Sequence, residues 1–304
     1  MQLIPWAHPN SAGFVTRGWF TPPSGKPLLH FLHGNGFCTR SYEPMLRHLA
    51  VDFDLWLCDL QGHGESDHGG RFLGWNRNAE LALEAFQAGR EQFGDVPLYA
   101  CGHSFGGVLT SLLLASHPAV FQRAVLLDPV LFPLTLIGLR NSLSLLGMRR
   151  NPMADSARAR RHHWPDRDTA YGALHGRGIF RGWEDEAFRA HIDHALKDHD
   201  DLGVELKCRP SREAEVFESM PRRLWPALKR IRSGTLLLHG EKTYPFVLQS
   251  ARRLAASNPN VVTRAMPGGH CFMQEHSAAA ARQVGDFLLQ RQVSCAGDPV
   301  LADG

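Results

Sequence analysis

Gly102-His103-Ser104-Phe105-Gly106 is the segment that most constrains this chain, because it lies between an apolar strand-like run (96–101) and an apolar helical stretch beginning at Gly107. A strand that becomes a helix over so few residues must bend sharply, and the residue at the tip of the bend sits at strained backbone angles. Glycines two positions to either side of Ser104 remove side chains that would collide with the neighbouring strand and helix. The serine hydroxyl is thereby pushed out at the end of a strand, where a substrate reaches it. A glycine-flanked serine in any strand-to-helix turn has the same spelling; the strand before it and the helix after it make the pattern specific.

The rest of the chain supplies the expected surroundings. Short apolar runs at 27–32, 53–58, 96–101, 123–127, 235–239 and 261–266 read as buried strands. Helical patterns at 41–50, 77–93, 106–116, 245–256 and 277–291 fall between or after most of them, so a mostly parallel α/β sheet flanked by helices is predicted. Residues 13–20 are expected to add an antiparallel hairpin at the start. The alternation lapses from about Pro129 to Arg232, where the sequence turns helical, irregular and rich in arginine and histidine. The predicted organisation is a core in two parts, 1–128 and 233–292, interrupted by a helical cap at 129–232 and followed by a loose tail at 293–304.

Composition narrows the function classes. Lys and Arg number 33 against 30 Asp and Glu, a balance too even for a nucleic-acid surface. The first residues lack a charged region followed by an apolar run, and no apolar stretch is long enough to span a bilayer. The six cysteines (Cys38, Cys58, Cys101, Cys208, Cys271 and Cys295) have no paired metal-type spacing and read as free thiols. A cytoplasmic protein acting on a small molecule is expected, with no nucleic-acid partner, no integral membrane segment, and no cofactor or metal assigned.

A serine nucleophile needs an oxyanion site, a base and an orienting acid. The run 27–32 ends in His33-Gly34-Asn35-Gly36, whose glycines let backbone approach a substrate carbonyl; the N–H groups of Asn35 and Phe105 are the expected oxyanion donors. His33 reads as a brace for that loop. Gly268-Gly269-His270 places a histidine on a loop after the last strand, at the sheet edge where Ser104 also emerges, so His270 is the expected general base. Two carboxylates compete for the third role. Asp128 follows the strand 123–127 and Glu241 the strand 235–239; Asp128 is preferred and Glu241 stays open.

Together, His33-Gly34-Asn35-Gly36, the loop Asp59-Leu60-Gln61-Gly62-His63-Gly64-Glu65-Ser66, the serine turn and Gly269-His270 resemble the α/β-hydrolase superfamily over about 20–128 and 233–291. The resemblance implies an esterase- or lipase-like member with a helical cap. Many such relatives carry an aspartate three positions beyond the glycine that closes the later strand; here Thr243 stands there, which supports Asp128. Members with an aspartate nucleophile are dehalogenases or epoxide hydrolases, and Ser104 disfavours both chemistries. A carboxylic-ester hydrolase working through an acyl-enzyme is expected. Thioesterase, lactonase and C–C hydrolase activity are alternatives, as is a receptor-like protein without activity.

The cap offers weaker signals. Leu131 to Gly147 is leucine-rich with only Arg140 charged, so it suits an apolar acyl pocket; Phe37, Leu131 and Phe132 are the candidate substrate contacts. Arg149, Arg150, Arg158, Arg160 and Arg161 form a basic run that reads first as a solvated face. His191, Asp193, His194, Asp198 and His199 have helical spacings reminiscent of metal ligation, but the segment 184–200 reads first as an ordinary polar helix. Cys38 and Cys271 read as wall residues rather than nucleophiles.

Overall fold

The structure, a computed structural model, describes residues 1–138, 151–199 and 203–291. Its strands in chain order are β1 (Ile4–Pro9), β2 (Val15–Phe20), β3 (Leu28–Leu32), β4 (Asp54–Cys58), β5 (Leu98–His103), β6 (Arg123–Leu127), β7 (His163–Trp164), β8 (Leu196–His199), β9 (Gly203–Leu206), β10 (Gly234–Gly240) and β11 (Val261–Met266). Eight of them form one sheet in the order β1-β2-β4-β3-β5-β6-β10-β11. Every pairing from β4 to β11 is parallel, while β1–β2 and β2–β4 are antiparallel.

The inner parallel strands read as apolar runs because both faces of the sheet are covered there, whereas the edge strand β11 is exposed over 262–265. Alternate residues go to opposite sides. Leu29, Phe31, Leu55, Leu57, Val125, Leu127, Leu236 and Leu238 pack with α1 (Glu43–Leu49) and the C-terminal helix Ser277–Leu288. Leu28, Leu32, Trp56, Ala124, Leu126 and Leu237 pack with α2 (Trp75–Gly89) and α3 (Phe105–Ser116). Among the described residues, no helix is long and apolar enough to cross a membrane.

Two expectations need correction. The opening hairpin begins well before residue 13, since β2 pairs with β1, a strand containing Pro5 and Pro9. Prolines hide a strand in sequence, yet an edge strand tolerates them because one side of its backbone pairs with nothing. The inserted segment is also not purely helical. It holds the helices Pro152–Ala159, Arg167–Leu174, Asp185–Ala195, Pro210–Glu218 and Leu224–Leu228. Alongside them stands a small antiparallel sheet ordered β7-β9-β8. The polar stretch predicted as one helix over 184–200 breaks after Ala195, and Leu196–His199 pairs with Gly203–Leu206. Strands of two to four residues are too short to show a period of two. The tail at 293–304 lies outside the described residues, as does most of the leucine-rich run after Phe132.

One core residue is chemically unusual. His30 on β3 is fully buried, with its ring 4.9 Å from that of Phe86 and 5.7 Å from that of Phe121. Neither ring nitrogen has a hydrogen-bond partner among the described residues. Burial lowers its pKa to about 3, and burial, with Arg160 adding, lowers that of the equally enclosed His191 to about 3. An unfolded chain takes up a proton on each near pH 6.5 and the native protein does not. Stability therefore falls as pH drops from about 6.5 towards 3, by at most about 1.4 kcal/mol per pH unit for each such histidine. In urea denaturation between pH 7 and pH 4, His30→Phe should lose distinctly less stability than the native sequence; equal losses would show that His30 does not exclude the proton.

Candidate active site

β5 ends at His103 and α3 begins at Phe105, so Ser104 alone makes the turn, at φ +52° and ψ −109°. The strain is held from both sides: Ser104 N–H donates to Leu127 O at 2.9 Å and Gly106 N–H to His33 O at 3.1 Å. A Cβ on Gly106 would lie 2.3 Å from Leu32 O, so only glycine lets α3 cross the end of β3 this closely.

The turn aims Ser104 Oγ at His270 Nε2, 2.9 Å away, and His270 Nδ1 lies 2.5 Å from Asp128 Oδ2. An ionised carboxylate only accepts, which puts the ring proton on Nδ1 and leaves Nε2 bare towards the serine hydroxyl. Asp128 is the first residue past β6, fully buried, at φ +42°. Its N–H donates to Leu238 O at 2.7 Å, its Oδ1 accepts from Gly240 N–H at 2.8 Å, and its Oδ2 also accepts from the Thr243 hydroxyl. Glu241, the other acid considered, is exposed, and its N–H is spent on Met266 O. Thr243 thus occupies the place of an expected aspartate and serves Asp128 as a donor.

A second hydrogen-bonded chain runs behind the first. Gly34 N–H donates to Tyr42 Oη at 3.0 Å, Tyr42 O–H to His103 Nδ1 at 2.6 Å, and His103 Nε2–H to His270 O at 3.0 Å. Tyr42 and His103 have no exposed surface. Burial first, and the neighbouring His270 second, hold His103 well below the usual imidazole range, so it is neutral and can donate from one nitrogen while accepting at the other. Neither residue was a sequence candidate. His103 is the variable position of the serine motif and Tyr42 a ring in a short turn of helix, and one sequence carries no signal linking them.

The glycine loop is braced as the sequence suggested: His33 Nδ1–H donates to Gly34 O at 2.7 Å and His33 Nε2 accepts from Leu60 N–H at 2.9 Å. Asn35 Nδ2 donates to Glu213 O at 3.1 Å, tying this loop to the inserted helix Pro210–Glu218. Phe105 is the first residue of α3, where N–H groups have no intrahelical acceptor.

The three candidate substrate contacts fall in different settings. Phe37 and Leu131 are 5% and 1% exposed and spend their surface on packing, Phe37 against Tyr42, Trp183 and His191. Phe132 is half-buried and belongs to a line of aromatic rings: Phe105–Trp75 at 4.7 Å, Trp75–Phe132 at 5.6 Å, Phe132–Phe246 at 6.4 Å, Phe246–Tyr244 at 5.7 Å and Tyr244–His270 at 5.1 Å. The line starts beside Ser104 and ends on His270. Tyr244 and Phe246 were absent from the sequence candidates.

Other sequence features disperse. Arg158 pairs with Glu218 and Arg160 with Glu213, Arg161 lies over the Trp164 ring, and Arg149 and Arg150 lie outside the described residues. Of the suspected metal ligands, His191 meets Ser41, His194 meets Glu43 and Asp198 pairs with Arg167. Cys38 and Cys271 are buried, and burial raises both thiols, Cys38 to about 12.

Comparison with known proteins agrees with this architecture. The model of the alpha/beta hydrolase family matches residues 31–283, and the chain belongs to that family. It is 30% identical over 113 residues to mouse monoglyceride lipase, covering 36% of this chain and 37% of that one. It is 27% identical over 168 residues to the type I acyl-CoA thioesterase mpaH of Penicillium roqueforti, covering 50% of this chain and 36% of that one. The matches thus span under two fifths of these relatives' length. The solved structure of E-2-(acetamidomethylene)succinate hydrolase superposes with a TM-score of 0.75 at 18% identity, covering 94% of this chain and 99% of that one, a likeness of fold.

The buried chain behind the site can be tested without an activity assay. Tyr42→Phe leaves the Gly34 N–H and His103 Nδ1 without their shared partner in a dry environment. It should lower unfolding stability by about 1–3 kcal/mol in urea denaturation. An unchanged midpoint would mean that the hydroxyl holds nothing together.

Proposed function

We propose that this protein is a serine hydrolase that cleaves carboxylic esters with an apolar portion through an acyl-enzyme on Ser104. The observation that carries the reading is the unbroken line from Ser104 Oγ through His270 to the buried Asp128 carboxylate. In this reading Ser104 Oγ attacks the ester carbonyl while His270 Nε2 takes its proton. The N–H groups of Asn35 and Phe105 receive the negative charge that develops on the carbonyl oxygen. His270 then returns the proton to the departing alcohol, and a water molecule, activated by the same nitrogen, releases the acid. Asp128 fixes the tautomer of His270 and stabilises its cationic form. Phe132, Phe246 and Tyr244 favour an apolar acyl or alcohol group beside His270. The match to an acyl-CoA thioesterase over half of the chain supports thioesters as a second substrate class on the same groups.

A fluorophosphonate probe should label the native protein and not Ser104→Ala, and short p-nitrophenyl esters should be hydrolysed only by the former. Failure of the native protein to label would defeat the enzyme reading. Asp128→Asn should lower turnover by about 10⁴, the loss seen when the aspartate of a serine-protease triad is changed, whereas Glu241→Gln should leave it nearly unchanged. The reverse pattern would transfer the acid's role to Glu241.

Asn35→Ala separates backbone from side chain in the oxyanion role. If the donor is the N–H, activity should stay within about tenfold of native. A loss of several hundredfold, the scale for deleting one oxyanion donor, would assign the role to the carboxamide.

A further inference from the structure

The small sheet β7-β9-β8 has one face turned to the core and one to solvent. Val204 and Leu206 of β9 are buried, so Gly203 and Glu205 point the other way. Across the strands, Glu205 stands opposite His163 on β7 and Lys197 on β8, and Gly203 stands opposite His199. Two imidazoles and one carboxylate therefore share the outer face, each from a different strand. The cross-strand partner of His199 is a glycine, so no β9 side chain on that row competes for the space.

We propose that His163, His199 and Glu205 form a binding site for a divalent transition-metal cation, Zn²⁺ by its donor set. The site uses none of the groups assigned to ester cleavage. Two histidines and a glutamate are a recognised three-ligand set for zinc, with solvent in the fourth position. The three donor atoms lie within 4.8 Å of one another. Bonds of 2.0–2.1 Å in a tetrahedron set ligand atoms about 3.4 Å apart, so closure requires movements of about 1–1.5 Å. His199 is exposed and the His163 side chain is 38% exposed, so imidazole rotation supplies that movement without shifting the backbone.

The two carboxylate oxygens of Glu205 have different partners. Lys197 Nζ holds Oε1 at 2.7 Å, which fixes the group, while Oε2 faces His163 Nε2 at 2.8 Å. Zinc would take the place of the proton between Oε2 and His163 and draw His199 in as the third ligand. Bound there, it ties β7 to the β8–β9 hairpin and stabilises the folded state, because the unfolded chain does not hold the three ligands together.

The test uses the full chain, stripped with chelator and titrated with ZnCl₂ in a calorimeter, with thermal unfolding followed in parallel. One saturable Zn²⁺ per chain and a midpoint that rises with zinc are expected. His199→Ala and Glu205→Gln should each weaken binding at least about tenfold with unchanged circular dichroism, and His270→Gln should bind as the native protein does. Co²⁺ bound to the native chain should show the visible absorption of a low-symmetry site, lost in His199→Ala. Absence of saturable binding, an affinity indifferent to His199→Ala, or a loss caused by His270→Gln would overturn the proposal.

Discussion

A carboxylate with no exposed surface holds its charge only where donors replace the water it has lost, and Asp128 has three such donors around it. Gly240 N–H comes from the end of β10, the Thr243 hydroxyl from the loop that follows, and the His270 ring from beyond β11. Taking any one away leaves a buried charge short of partners, so the positions of three chain segments are locked to one side chain. The parallel pairing of β6, β10 and β11 brings those segments to the same edge, and the left-handed backbone at Asp128 turns its side chain across it. The proposed base is therefore placed by the sheet, while its own loop contributes mainly the ring.

The second set of buried polar groups works by a different rule. His103 and Tyr42 carry no charge, and their value is directional: one hydroxyl and one neutral imidazole join the backbone of the glycine loop to the backbone of the His270 loop. An imidazole kept neutral by burial is a rigid spacer with an acceptor at one end and a donor at the other. A chain with 17 histidines puts several of them to such structural use.

Much of this was legible beforehand because it depends on local chemistry. The serine turn is specified by two glycines and the elements around it, and the parallel strands by apolar runs long enough to recognise. His270 could be singled out by position alone. What could not be read was cross-chain: that Thr243 donates to Asp128, that Glu241 faces solvent, and that Tyr42 meets His103 61 residues away. The inserted segment was the least legible part. Its strands are shorter than any period, and the spacing of His191, His194, Asp198 and His199 imitates one helix face although the helix ends before two of the four.

The tie between Asn35 and the carbonyl of Glu213 joins the glycine loop to a helix of the insertion. Asn35 Oδ1 also meets His63 Nε2 at 3.1 Å, so one carboxamide is held from the insertion on one side and from the Asp59–Ser66 loop on the other. A shift of the helix would have to break the first tie or draw the glycine loop along with it. Under the proposed reaction, the backbone that receives the developing charge would be positioned in part by a residue of the insertion 178 positions along the chain.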